Sequence, residues 1–274
     1  MFESLDLADD VAAVRADHAP DSLVLSADAD FETIPPAAAE DLGLVADSLD
    51  PKSYPAEWLP EDAPALLVRY AGSDFTIGMP GDGTVVWTRQ TVPPAVIAKK
   101  RAEGTPTDFL DFLFAEAFVQ LGTDAPEHCL PFFGEHYREL DAAVPLPPND
   151  VYQIAAALYE AWLGLQTRET FASWEETHPR LHGAWVDAGE RLTGRLDTLP
   201  RAVARGGTSF AEATEYACSA VKHGLDLPAP FAALDTAAYV EYGPSYGVRW
   251  ATKTFEQLGE EDGGTAESGG TVEE

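Results

Sequence analysis

Lysine is nearly missing from this chain, with only Lys52, Lys99, Lys100, Lys222 and Lys253 among 274 residues. Phosphate binding needs clustered Lys and Arg, so this scarcity argues against direct contact with nucleic acid. Cysteine is scarcer still: Cys129 and Cys218 stand far apart, with no close pair and no evenly spaced set. That pattern fits two buried thiols in a reducing compartment. Long apolar runs are absent as well. No stretch approaches the 18 or so residues of a membrane span. The opening "MFESLDLADDVAAVRADHAP" is acidic where a signal peptide would be basic. The expectation is a cytoplasmic protein that does not enter membranes and needs no cofactor, since no Walker loop, dinucleotide fingerprint or Ser-His-Asp motif occurs.

What the chain has in abundance is acid. Asp and Glu number 47 against 17 Lys and Arg, a formal net charge of −30. In dilute salt such a chain repels itself. At molar salt the Debye length falls to about 3 Å and the repulsion is screened. Few lysines also means few exposed aliphatic stems. This balance reads as the halophilic signature of a salt-in organism. Against that background, a pair of carboxylates is first of all solvated surface. With 45% hydrophobic residues, the chain still has enough apolar side chains for a full core.

Along the chain, "FESLDLADDVAAVRADHAP" predicts a first helix with Ser4 as cap, and "PPAAAEDLGLVADSL" a second. Between them lies the short apolar piece "SLVLSA", and a proline-rich connector, "DPKSYPAEWLPEDAP", follows. "ALLVRYAG", "DFTIGMP" and "TVVWTRQTV" are rich in β-branched and aromatic residues, and Pro80-Gly81-Asp82-Gly83 has hairpin chemistry. These runs predict a small three-stranded antiparallel sheet near residues 65–92. Everything after Pro93-Pro94 reads as helix. "TPTDFLDFLFAEAFVQLG" is apolar around most of its circumference, and Val151, Ile154, Leu158, Trp162 and Leu165 form an amphipathic stripe. The basic "AKKRAEG" reads as an exposed helical turn. The fold class is therefore α+β and mostly α, with a small antiparallel sheet packed against a C-terminal helical bundle. Residues 1–258 are expected to form a single body, divisible into 1–92 and 93–258, and the glycine-rich acidic end 259–274 to be disordered.

Three stretches carry side chains that could do chemistry. "EHCLPFFGEHYREL" (127–140) gathers Glu127, His128, Cys129, Glu135 and His136. A zinc site wants four N or S donors, usually in close pairs, whereas here two donors are adjacent and the next is seven residues on. Nucleophilic Cys–His chemistry is disfavoured by Glu127, whose charge pushes the neighbouring thiol pKa upward. The plainer reading is a buried thiol with histidines at a helix boundary. His178 and His182, four apart, have the spacing of two ligands on one helix face, but Pro179 places His178 at the helix entrance. In "EYGPSYGVRW", Tyr242, Tyr246 and Trp250 recur every fourth residue with Arg249 beside them. Such residues dominate protein interfaces, yet the same spacing serves a packed helix face.

The meander "LLVRYAGSDFTIGMPGDGTVVWTRQTVPP", followed by "TDFLDFLFAEAFVQLG" and the later helices, resembles haloarchaeal proteins of an uncharacterised family. The resemblance lies in layout and acidic composition and implies no site residue. The leading functional expectation is a non-enzymatic interaction or regulatory module that binds a protein partner or itself. The alternative is a metal-dependent enzyme using the His128/Cys129/His136 region, which requires these side chains to converge. A third is a small-molecule sensor with a pocket between sheet and bundle.

Overall fold

The computed structural model describes residues 2–30, 33–41, 46–76 and 83–266. Its N-terminal half opens with strand β1 (Phe2–Ser4), helix α1 (Asp9–His18) and strand β2 (Leu23–Ala27). The first helix is therefore shorter than its sequence suggests. Phe2–Ser4 pairs antiparallel with β2, so Ser4 is a strand residue and not a cap. Asp9 and Asp10 supply the negative charge favoured in a helix's first turn. Short β3 (Thr33–Ile34), α2 (Pro36–Asp41) and β4 (Ser48–Leu49) follow.

The run "ALLVRYA" is not a strand. It forms helix α3 (Ala65–Ala71), with Pro64 just before its first residue. Its buried residues are Leu67, Tyr70 and Ala71, an i, i+3, i+4 pattern that outweighs the strand propensity of the individual residues. β5 (Phe75–Thr76) pairs with β3, and most of the Pro80–Gly83 turn lies outside the described residues. Then come β6 (Val85–Thr88), β7 (Thr91–Val92) and β8 (Ala95–Ala98).

The sheet is thus four-stranded and mixed, in the order β1-β2-β8-β6, and not a three-stranded antiparallel one. β8, in a stretch that reads as helix, is a central strand with all four residues buried. It runs parallel to β2, so that "SLVLSA" becomes the neighbour of "AVIA", and antiparallel to β6. Two-residue alternation divides the apolar side chains between faces. Val24, Trp87 and Val96 meet α1 and helix α4 (Thr107–Leu121), while Leu25, Val86 and Ile97 meet Phe2, Ala39 and Phe75.

The remaining chain is helical: α5 (Cys129–Phe133), α6 (His136–Ala143), α7 (Pro148–Ala172), α8 (Trp174–Thr177), α9 (Pro179–Leu196), α10 (Leu199–Ala204), α11 (Phe210–Val221) and α12 (Ala237–Ala266). Ser209 and Glu212 close a reciprocal capping box at the start of α11. α12 bends at Gly243, whose φ of 48° suits glycine, immediately before Pro244. It continues to Ala266, well into the stretch expected to be tail; residues 267–274 lie outside the described residues. The sheet and helical parts share a core, in which Phe171, Trp174 and Leu181 pack with α1, α4 and the sheet.

One guanidinium manages much of the acid at this junction. Arg180 on α9 reaches Asp10 of α1 at 2.6 Å and Asp108 and Asp111 of α4 at 2.8 and 2.7 Å. Replacing Arg180 with Gln leaves three carboxylates facing one another. The expected loss is about 1–2 kcal/mol in dilute salt and less in molar KCl, because screening substitutes for the missing cation. Denaturant melts at both salt levels measure it; an equal loss at both would refute the electrostatic account.

Candidate functional site

The segment after α4 is tied down from several sides. Arg89 donates to the carbonyls of Leu121 at 2.9 Å, Ala125 at 2.7 Å and Thr123. It thereby satisfies carbonyl groups at and beyond the end of α4. The Tyr159 hydroxyl donates to the Pro126 carbonyl at 2.6 Å. The next three side chains diverge from this anchored backbone.

Glu127 turns towards the β6–β7 connection, where Gln90 Nε2 donates to its Oε1 at 3.4 Å. Removal from solvent pushes its carboxyl up to about 7, despite hydrogen bonds from Thr88 and Gln90 and the nearby charge of Arg89. His128 turns the other way. Its Nδ1 accepts the Leu130 N–H at 3.3 Å, capping α5, and its ring stands perpendicular to Tyr54 and Tyr70 at centroid distances of 5.5 and 5.1 Å. Burial pushes this imidazole down to about 3, so it is neutral. Cys129 enters the helical core. Adjacent residues therefore point into three different environments.

The other histidines are elsewhere. His136 lies on α6 beside Glu139, 2.7 Å from its carboxylate, as their three-residue spacing implies. His178 is the residue before α9 and packs edge-on against Trp174, and His182 lies against Trp185. Among the described residues, no group of three or more His, Cys, Asp or Glu side chains could hold a metal ion. The convergence that a metal-dependent enzyme needs is not found among His128, Cys129 and His136.

Two concavities do gather functional groups. The first, about 130 Å³, lies between edge strand β6 and helices α4, α7 and α11, lined by Glu116, Gln120, Glu127, Tyr159, Glu160 and Lys222 among others. Lys222 Nζ holds both Glu116 oxygens, at 2.8 and 3.0 Å, and Gln120 accepts from Trp87 Nε1 at 2.9 Å. Glu116 and Gln120, polar positions on the otherwise apolar α4, thus face this concavity. The clue in the sequence was Glu116 itself, a lone acid inside "FLFAEAFVQL".

The second is a surface groove of about 460 Å³ along α12, lined by Tyr246, Arg249, Trp250 and Lys253 and, opposite them, Pro230 and Ala233. Trp250 is buried and donates its Nε1 hydrogen to the Pro230 carbonyl at 3.0 Å. The Tyr246 hydroxyl donates to the Ala233 carbonyl at 2.7 Å. Arg249 lies 5.5 Å from the Tyr242 ring and 5.9 Å from that of Tyr246. The structure therefore brings Tyr246, Arg249 and Trp250 to one groove, with Tyr242, 51% exposed, next to Arg249. Lys253, one turn beyond Arg249, escaped the sequence reading although its i+4 spacing was visible.

These features define a mostly helical protein built on a small mixed sheet, with no helix among the described residues long and apolar enough to cross a membrane. The chain belongs to a family of unknown function, DUF7089, whose model matches residues 1–258. No curated protein and no solved structure matches it.

The cavity generates two expectations. A carboxyl raised in the folded state from 4.5 to about 7 binds protons that the unfolded chain releases. Its effect therefore lowers stability as pH rises from 4.5 through 7. Glu127→Gln should match the parent near pH 4.5 and exceed it by roughly 1–3 kcal/mol at pH 8; a pH-independent difference between the two melts would rule this out. Gly164 of α7 abuts Lys222, where an added Cβ would lie 2.9 Å from the lysine Cβ and 3.1 Å from its Cα. Gly164→Ala should cost about 1–3 kcal/mol in the same melts, and an unchanged midpoint would mean that α7 and α11 separate freely.

Proposed function

We propose that this protein is a non-enzymatic interaction module working in a salt-rich, reducing cytoplasm. The observation that carries this reading is the aromatic and cationic face of α12, where exposed Tyr242 lies beside Arg249, which lines the groove. Tyr and Trp combine large contact area with few rotatable bonds, Arg adds a planar fork of donors, and all three are enriched among the residues that dominate binding energy at interfaces. The compartment is inferred from the net charge of −30 and from two buried free thiols.

A photo-crosslinking side chain at Tyr242, compared with one at exposed Asp187 on α9, tests the reading in extract of the source organism at molar KCl. Discrete adducts from position 242 and none from 187 are expected. Adducts from neither position, or equally from both, would remove α12 as the contact face. The fold itself should persist in molar KCl and weaken in dilute salt, as circular dichroism would record.

A small-molecule sensor is the second reading, favoured by one observation: the concavity between sheet edge and bundle is lined by Glu127, whose carboxyl is pushed up to about 7 by burial. It is distinguished from the first by loss of ligand-induced thermal stabilisation in the Glu127→Gln protein, with crosslinking at 242 unaffected.

A further inference from the structure

Resting on the interaction reading above, we infer that the α12 groove takes an extended acidic segment of a partner protein, with carboxylates on alternate residues engaging Arg249 and Lys253. The argument starts from charge. In a chain where acids outnumber bases 47 to 17, this groove is lined by two cations and no Asp or Glu. Among the described residues neither Arg249 nor Lys253 forms an ion pair, in contrast to Arg168, Arg180 and Lys222. Arg249 rests on tyrosine faces, which leaves the hydrogen-bonding edge of its guanidinium for an incoming carboxylate.

Spacing supplies the second step. Residues four apart on a helix are about 6 Å apart along its axis. Residues two apart on an extended strand point the same way and are separated by about 6.6 Å. An acid-x-acid segment therefore matches the Arg249–Lys253 pair without distorting either chain. The rest of the lining is mostly apolar, with Thr254 and Gln257 beside it, and Trp250 Nε1 and the Tyr246 hydroxyl are already engaged by the Pro230 and Ala233 carbonyls, so these two groups do not compete for the incoming carboxylates.

The class of partner follows from charge number. A nucleic acid brings a run of phosphates to a surface of net charge −30 and finds two cations, whereas a short peptide carries about as many charges as the groove neutralises. The pairs exclude little water at the rim, so they contribute to selection and orientation more than to raw affinity.

The test uses the full chain and a fluorescein-labelled peptide of alternating Glu and Gly, followed by anisotropy over a range of KCl in which circular dichroism shows the fold intact. A Glu-to-Gln version of the peptide, a short oligothymidylate and inorganic phosphate serve as comparisons. Expected are binding of the Glu peptide, about tenfold weaker binding of the Gln peptide, and weakening as salt rises. Binding should also be lost in an Arg249→Glu/Lys253→Glu protein whose spectrum is unchanged. Lys253→Gln, at an exposed position, should lower affinity severalfold and guards against a fold defect in the double variant. The inference is overturned by absence of binding at roughly 1 mM peptide, a weak regime in which even rim contacts register. It is also overturned by equal affinity for both peptides or in the double variant, or by preference for the oligonucleotide or phosphate. Those outcomes leave the Tyr242 crosslinking result standing on its own, so failure of the partner class is separable from failure of the interaction face.

Discussion

Residue 222 is the joint on which the two halves of the molecule depend. Its ammonium grips Glu116 on α4, the helix that covers the sheet. Its carbonyl accepts from Trp185 Nε1 on α9 at 3.1 Å, and its backbone lies against Gly164 on α7. Glu116 is almost fully buried, so removing the lysine would strand a carboxylate in low dielectric, an effect of about 3–5 kcal/mol for buried pairs. Such a pair adds little net stability over well-packed apolar residues, but it tolerates only one geometry. The lysine sits at the C-terminal end of α11, where a cation is favoured by the helix dipole. One residue thereby ties α4, α7, α9 and α11 to one another, and with them the walls of the concavity beside β6.

The second constraint is the anchored backbone between α4 and α5. Arg89 collects its carbonyls and Tyr159 holds Pro126, so the direction of each following side chain is set before its chemistry matters. In an extended approach to a helix, successive side chains point to opposite sides. Glu127 goes to the sheet edge, His128 caps the short helix and Cys129 enters its core. A dense cluster of reactive residue types in sequence is then dispersed in space. This is why the side chains of "EHC" do not gather at one point, and it is a backbone reason.

How much was legible follows from which interactions are local. The stripe of Val151, Ile154 and Leu158 was readable because its members lie within a turn or two of one another on the same helix. The sheet was not, because its central pairing joins Leu23–Ser26 to Ala95–Ala98 across some seventy residues, and nothing local announces that contact. "ALLVRYA" misled through propensity: Val and Tyr suit a strand individually, while the burial of Leu67, Tyr70 and Ala71 is set by neighbours distant in sequence. At the candidate sites, Tyr246, Arg249 and Trp250 were visible by their spacing. Their groove required the opposite wall at Pro230 and Ala233, which only tertiary structure supplies.

Charge gives the remaining order. In a chain this acidic, each cation is scarce, and its surroundings separate structural from available positive charge. Arg180 is enclosed by three aspartates, Lys222 by a buried glutamate, and Arg89 by backbone carbonyls. These groups are engaged within the fold and would need to break existing contacts to meet a ligand. Arg249 and Lys253 differ: both are exposed, and Arg249 is held in place by aromatic faces, not by carboxylates. A cation–π contact orients a guanidinium while leaving its outer edge open. High salt weakens distant attraction but spares contacts at hydrogen-bond range, so the inferred docking would rest on contact and not on long-range steering. For such a surface, shape and short-range pairing would decide what stays bound, whatever the ionic strength.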